Sequence, residues 1–98
     1  MANEPTTPDD VLRALANIHR LRILRALSDG ALWVSDIQAR LPLSQSALSQ
    51  HLARPREAGI VATRRQGQSM TYQLVDREIL TLVDGLLRFV EGPGKQQP

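Results

Sequence analysis

A helix that stops at Pro42, a second helix capped almost immediately by Ser44, and two strand-like runs flanking Gly67 predict a mainly α fold with a β-hairpin wing, a winged helix-turn-helix. The 98-residue length allows one core and no second. A lone chain of this size buries ~65% of its unfolded surface, so a shared dimer core is an expected supplement.

The elements follow in order. Thr7-Pro8-Asp9-Asp10 reads as a helix start, with a capping hydroxyl, a proline where no amide donor is missed, and two acids at the positive dipole end. The first helix carries Val11, Leu12 and Leu15 and is expected to reach Ile18. The second, over Ile18 to Leu27, places Leu21, Ile23, Leu24 and Leu27 inward and Arg20, Arg22 and Arg25 on the other side, and Ser28-Asp29-Gly30 stops it. Leu32-Trp33-Val34 is short and β-favouring, and Ser35 is expected to cap a helix with Ile37 and Leu41 inward. After Gly59, Ile60 to Arg65 and Met70 to Val75 read as strands joined by Gln66-Gly67-Gln68-Ser69. Asp76 is expected to cap a last helix running to about Val90, giving a domain over 7–90 with mobile tails at 1–6 and 91–98.

Charge is more informative by place than by sum. The formal net charge is +2, but Ser44 to Val75 holds Arg54, Arg56, Arg64 and Arg65 against Glu57 alone, while Asp76 to Glu91 has four acids against two arginines. An anion-facing middle backed by a different surface is the expectation. With no cysteine, a disulfide framework, thiolate metal sites and thiol redox switching are excluded within these residues. No apolar run approaches the roughly 18 to 20 residues that cross a bilayer, and no Arg/Lys-headed apolar leader opens the chain, so the expected location is cytoplasmic.

On a helical wheel stepped by ~100° per residue from Gln45, Ala47, Leu48, His51 and Leu52 share one side. Gln45, Ser46, Ser49, Gln50 and Ala53 share the other. That second face has amides and hydroxyls and no acid, so it can exchange hydrogen bonds with base edges and phosphates without repelling a polyanion. A solvated polar face is the plain alternative for this segment alone. The hairpin tip adds Arg64, Arg65, Gln66 and Gln68, groups able to lie along a phosphate backbone or enter a minor groove. Double-stranded DNA is therefore the expected partner, with His51 and Arg54 as secondary candidate contacts. A protein-interaction winged helix, whose basic wing serves only solubility, is the alternative.

The runs Ala14 to Leu27, Leu43-Ser44-Gln45-Ser46-Ala47-Leu48-Ser49-Gln50-His51-Leu52, Glu57-Ala58-Gly59-Ile60-Val61 and Arg65-Gln66-Gly67 before Tyr72 resemble the ArsR/SmtB family of bacterial repressors, in its haemolysin-regulator branch. The resemblance covers nearly the whole folded part. It implies a homodimer paired through first and last helices on an imperfect inverted repeat at a promoter. Onto matching positions it carries Gln45, Ser46, Ser49 and Gln50 as groove contacts and Arg64, Arg65 and Gln68 as wing contacts. It also implies two places to look for a metal sensor. The first reads Leu32-Trp33-Val34-Ser35-Asp36 without a thiolate, and the last helix has no histidine, so no metal or other cofactor is expected.

The last helix has Ile79, Leu80, Leu82, Val83, Leu86, Leu87, Phe89 and Val90, apolar on more than one side, and the second side needs a partner. Val11, Leu12, Leu15, Leu82, Val83, Leu86, Phe89 and Val90 are the expected dimer residues. Trp33 and Tyr72 are expected to pack the wing on the core rather than to line a ligand pocket. Pro55 stands where the family has an apolar residue, and because it lacks an amide and its ring meets the carbonyl of His51, the helix is expected to end or kink near Arg54. No nucleophile elbow, phosphate loop or paired-carboxylate spacing is present, so no enzymatic activity is expected.

Overall fold

Thr7 and Asp10 close a reciprocal cap: the Thr7 hydroxyl accepts the Asp10 amide at 3.1 Å and the Asp10 carboxylate accepts the Thr7 amide at 3.3 Å. From this start the computed structural model describes residues 7–92. The elements are α1 (Pro8–Leu15), α2 (Ile18–Ala26), a single 3₁₀ turn (Leu27–Asp29), β1 (Leu32–Trp33), α3 (Val34–Arg40), α4 (Gln45–Glu57), β2 (Val61–Gln66), β3 (Ser69–Leu74) and α5 (Ile79–Glu91). Residues 1–6, and 93–98 of the tail expected at 91–98, lie outside the described residues, and α5 runs to Glu91, one residue into the segment expected to be tail.

Several boundaries differ from expectation for local reasons. The first helix ends at Leu15 because Asn17 starts the next one, its Oδ1 accepting the amides of His19 and Arg20 at 2.8 and 3.3 Å, so Ile18 belongs to α2. Trp33, not Ser35, occupies the cap of α3, without a side-chain hydrogen bond, because β1 pairs right up to that residue. Asp76 caps the turn before α5: its Oδ1 accepts the Glu78 amide at 2.9 Å, and the helix proper begins at Ile79.

Of the two outcomes expected of Pro55, an end or a kink near Arg54, the end does not occur. The helix continues to Glu57, with Pro55 fully buried in its last turns. The end of the helix gives the reason. Gly59 takes a left-handed φ of +76°, the Ile60 amide reaches back to the Pro55 carbonyl at 2.8 Å, and the Gly59 amide reaches the Arg56 carbonyl at 3.1 Å. This is a Schellman closure, and the two positions that commonly share its apolar contact, Ile60 and Pro55, are both buried. The ring thus occupies the apolar site, and the His51 carbonyl is the group deprived of a helical donor.

The strands form an antiparallel sheet in the order β1-β3-β2, with Leu32 opposite Tyr72 and Arg64 opposite Thr71. Gln66 pairs with Ser69, leaving a two-residue turn. Gly67 has φ +64° at the first turn position, as a type II′ hairpin requires. The core lies between the helices and the sheet base: Leu21, Ile23, Leu24, Ile37, Leu48, Leu52, Val61, Tyr72 and Val83 are buried in one cluster.

Candidate nucleic-acid interface

Ser44 starts α4 by accepting the Ala47 amide on its hydroxyl at 3.0 Å, after a connection in which Leu43 donates to the Leu41 carbonyl at 2.7 Å. Gln38 on α3 donates to the Leu43 carbonyl at 3.4 Å, tying the first helix of the pair to the turn. Leu48, Leu52 and Pro55 anchor one side of α4 in the core. Gln45, Ser46, Ser49, Gln50, Ala53 and Arg54 are all exposed on the other side, in agreement with the wheel. His51 is half-buried at the edge between the two.

The wing stands beside this face. Arg64, Arg65, Gln66 and Gln68 are exposed toward the hairpin tip, and the Thr71 hydroxyl donates to the Arg64 carbonyl at 3.4 Å across the ladder. A cleft of about 350 Å³ separates wing from helix, with Gln45, Ser49, Arg65, Gln68, Trp33 and Tyr72 among its lining residues. Tyr72 packs into the core as expected, while Trp33 remains over a third exposed at the cleft wall, so the two aromatics do border a concavity.

The opposite edge of the same helix is built differently. His51 lies against His19 of α2 with ring centroids 5.2 Å apart. Burial, then the neighbouring His19, then Arg20 push the His51 imidazole below the ordinary histidine range. Arg20 donates from Nη1 to the Arg13 carbonyl at 2.8 Å, and its buried Nε has no acceptor among the described residues. Burial and the charge of Arg54 lower the Arg20 guanidinium too. Sequence reasoning named His51 and Arg54 and missed His19 and Arg20, because contacts between α2 and α4 leave no periodic signal.

The three arginines of α2 do not share one surface. Arg22 and Arg25 pair with Glu91 and Asp84 of α5 at 2.9 and 2.6 Å, while Arg20 donates to the Arg13 carbonyl of α1 and lies within the field of Arg54 on α4.

Of the residues expected at a dimer seam, Leu15 and Val83 are 3% and 0% exposed inside the protomer, so they belong to its own core. These two positions face inward on α1 and α5, and the seam expectation is corrected there. Val11 is half-buried against that core. Leu12, Leu82, Leu86, Phe89 and Val90 remain exposed, Phe89 by 85%, and a groove of about 580 Å³ runs between Val11, Ile60, Ile79 and Leu82. Among the described residues no group of three or more His, Cys, Asp or Glu side chains is placed to hold a metal ion. No helix there is long and apolar enough to cross a membrane.

Residues 19–63, from the His19–His51 edge through α4 to β2, match the family model described as bacterial regulatory protein, arsR family. The transcriptional activator HlyU of Vibrio cholerae is 46% identical over 78 residues, spanning 80% of this chain and 72% of that protein. Its solved structure superposes with a TM-score of 0.72 over 83% of this chain and 88% of that one, at 44% identity. The biofilm growth-associated repressor of Agrobacterium fabrum is 37% identical over 76 residues, 78% of this chain and 65% of the relative. A domain of Mb0332 from Mycobacterium bovis, described as a homodimeric winged helix-turn-helix DNA-binding domain, superposes with a TM-score of 0.71 at 26% identity, over 85% of this chain and 81% of that one. With its helix order, its paired wing and these relatives, the chain belongs to the ArsR family of bacterial regulatory proteins and is a winged helix-turn-helix transcription regulator.

Proposed function

We propose that this regulator binds an imperfect inverted repeat at a promoter as a homodimer and represses transcription, in the cytoplasm. The observation that carries the reading is the exposed, acid-free face of Gln45, Ser46, Ser49 and Gln50, with Arg65 of the wing across the cleft and Arg64 exposed beside it in the same strand. Side chains of this kind donate to and accept from base edges in the major groove, while the guanidinium groups hold phosphates and fix the register. Gln68 adds a neutral donor at the wing tip. The exposed apolar residues of α1 and α5 supply a surface for the second copy, and a two-fold dimer would set its recognition helices about one DNA turn, roughly 34 Å, apart. The sign of regulation rests on family resemblance, since one relative is named an activator and another a repressor.

Genomic footprinting of the purified protein tests the reading. The expected result is a small set of protected inverted repeats whose binding survives non-specific competitor DNA and weakens steeply with salt. Arg64→Ala with Arg65→Ala should reduce affinity for all sequences alike and lower the salt slope by about one for each phosphate no longer held. Absence of any protected repeat, with the wing serving only solubility, would turn the assignment toward a protein-interaction module.

A further inference from the structure

We propose that His19, Arg20, His51 and Arg54 form a second phosphodiester-binding site on the edge of α4 opposite the wing, and that DNA binding there takes up a proton. The inference rests on the DNA-binding reading above and adds to it a site, two residues and a dependence on pH. Three observations converge on it.

The first is placement. Stepping around α4, the exposed arc begins beside the wing at Gln45 and Ser49 and ends at Gln50 and Arg54, next to His51. The face suited to bases is therefore bracketed, by Arg65 across the cleft on one side and by the α2–α4 edge on the other. A major groove is ~12 Å wide and walled by two phosphate backbones. A helix lying in it with cations on one flank alone would grip one wall.

The second is charge without compensation. Arg22 and Arg25, from the same helix as Arg20, each find a carboxylate on α5. Arg20 is directed to a place where the group in reach from α1 is the Arg13 carbonyl, and the charge that bears on it from α4 is that of Arg54. The charges bearing on His51 are those of His19 and Arg20 from α2, and no carboxylate is among them. Beside His19 the α3–α4 connection brings Leu41, Pro42 and Leu43, which do not titrate, and α2 brings Arg22, whose charge is already paired with Glu91. Packing potential cations together without an acid is unfavourable in the free protein and is relieved by an incoming anion.

The third is the state of the imidazole. Burial and the neighbouring His19 and Arg20 hold His51 below its ordinary range and so favour its neutral form in the free protein. A phosphodiester alongside favours the charged form, so the bound state holds the proton more tightly than the free state. By linkage, affinity must rise as pH falls through the histidine range. The anion belongs to a nucleic-acid backbone because the cluster adjoins Gln50 and Arg54 on the exposed arc of α4.

The test uses a random-sequence duplex of about 30 base pairs, because phosphate contacts are independent of sequence. Between about pH 8 and pH 6 the unmodified protein should bind roughly fivefold more tightly, with a salt slope steeper by about 0.9 for one added phosphate contact. His51→Gln, which removes the titrating imidazole, and His19→Gln, which removes the neighbour that bears on it, should each diminish the rise, and the double variant should abolish it. His19 is exposed, so its variant keeps the test sound should His51→Gln disturb the helix. Salt-sensitive binding with the same pH response in all four proteins, or with no pH response in any, overturns the inference and leaves the DNA-binding reading standing. Failure of the unmodified protein to bind duplex at either pH overturns both. Inorganic phosphate alone should shift the imidazole NMR signals only weakly, and tight saturable phosphate binding would overturn the backbone assignment.

Discussion

Arg25 on α2 donates to Asp84 on α5 at 2.6 Å, and this pair, with Arg22 and Glu91 beside it, ties the last helix to the second. The acidic charge of the C-terminal segment is thereby directed to α2. It does not offset the basic charge of α4 and the wing. A nearly neutral chain can in this way present a locally cationic face.

Asp84→Asn should therefore cost little in stability. Both partners are substantially exposed, so after screening the pair contributes no more than about 0.5 kcal/mol. Urea denaturation at low and high salt checks this: the difference between variant and parent should vanish as salt rises. A destabilisation that persists at high salt would mean that Asp84 acts through packing.

Ser49 and Gln50 should control which sequences are bound. Neither side chain is needed by the core, so replacing both with alanine leaves the melting temperature nearly unchanged. Discrimination between the preferred site and single-base variants should fall by about 1–3 kcal/mol for each base edge no longer read, as measured by competition binding. Uniform weakening across all sequences would instead assign these residues to the phosphate backbone.

The exposed polar face of α4 and the helix order are legible in the sequence because both rest on local rules: capping at Thr7 and Ser44, the 3.6-residue period of α4, and a glycine at the hairpin turn. Residues whose roles depend on a neighbouring element are less so. Leu15 and Val83 look identical to Leu12 and Leu82 among the apolar positions of their helices, and only the direction each faces in the assembled protomer separates core from outer surface. Arg20 resembles Arg22 and Arg25 for the same reason. Its approach to α4 depends on how two helices cross. Local propensity misjudges Pro55 because it leaves out the closure at Gly59, which uses the proline carbonyl and buries its ring.

Pro55→Ala should stabilise the protein modestly. It restores an amide donor to the His51 carbonyl and removes a ring clash, together worth about 3 kcal/mol in a helix interior. It also removes roughly two buried methylenes, about 0.8 kcal/mol each. The net gain of about 1 kcal/mol corresponds to a melting temperature higher by about 4–8 °C for a domain of this size. A lower melting temperature would show that burial of the ring outweighs the missing hydrogen bond.

The outer face of α1 and α5 yields the last prediction. Leu82 and Phe89 lie on α5 seven residues apart, two helical turns along one side, and both are exposed along with Leu12 and Leu86. Apolar side chains gathered on two neighbouring helices favour burial against a second copy, at ~25 cal/mol for each Å² removed from water. Leu82→Lys with Phe89→Lys should place like charges across a two-fold seam and shift the protein to monomer in sedimentation at micromolar concentration. The wing and α4 are untouched, so circular dichroism should be preserved and non-specific duplex binding should remain measurable. Affinity for an inverted repeat should fall much more than affinity for a half-site, because only the repeat requires both copies at once. A double variant that stays dimeric would move the seam off this face, and one that binds the full repeat as a monomer with undiminished affinity would remove dimerisation from operator recognition.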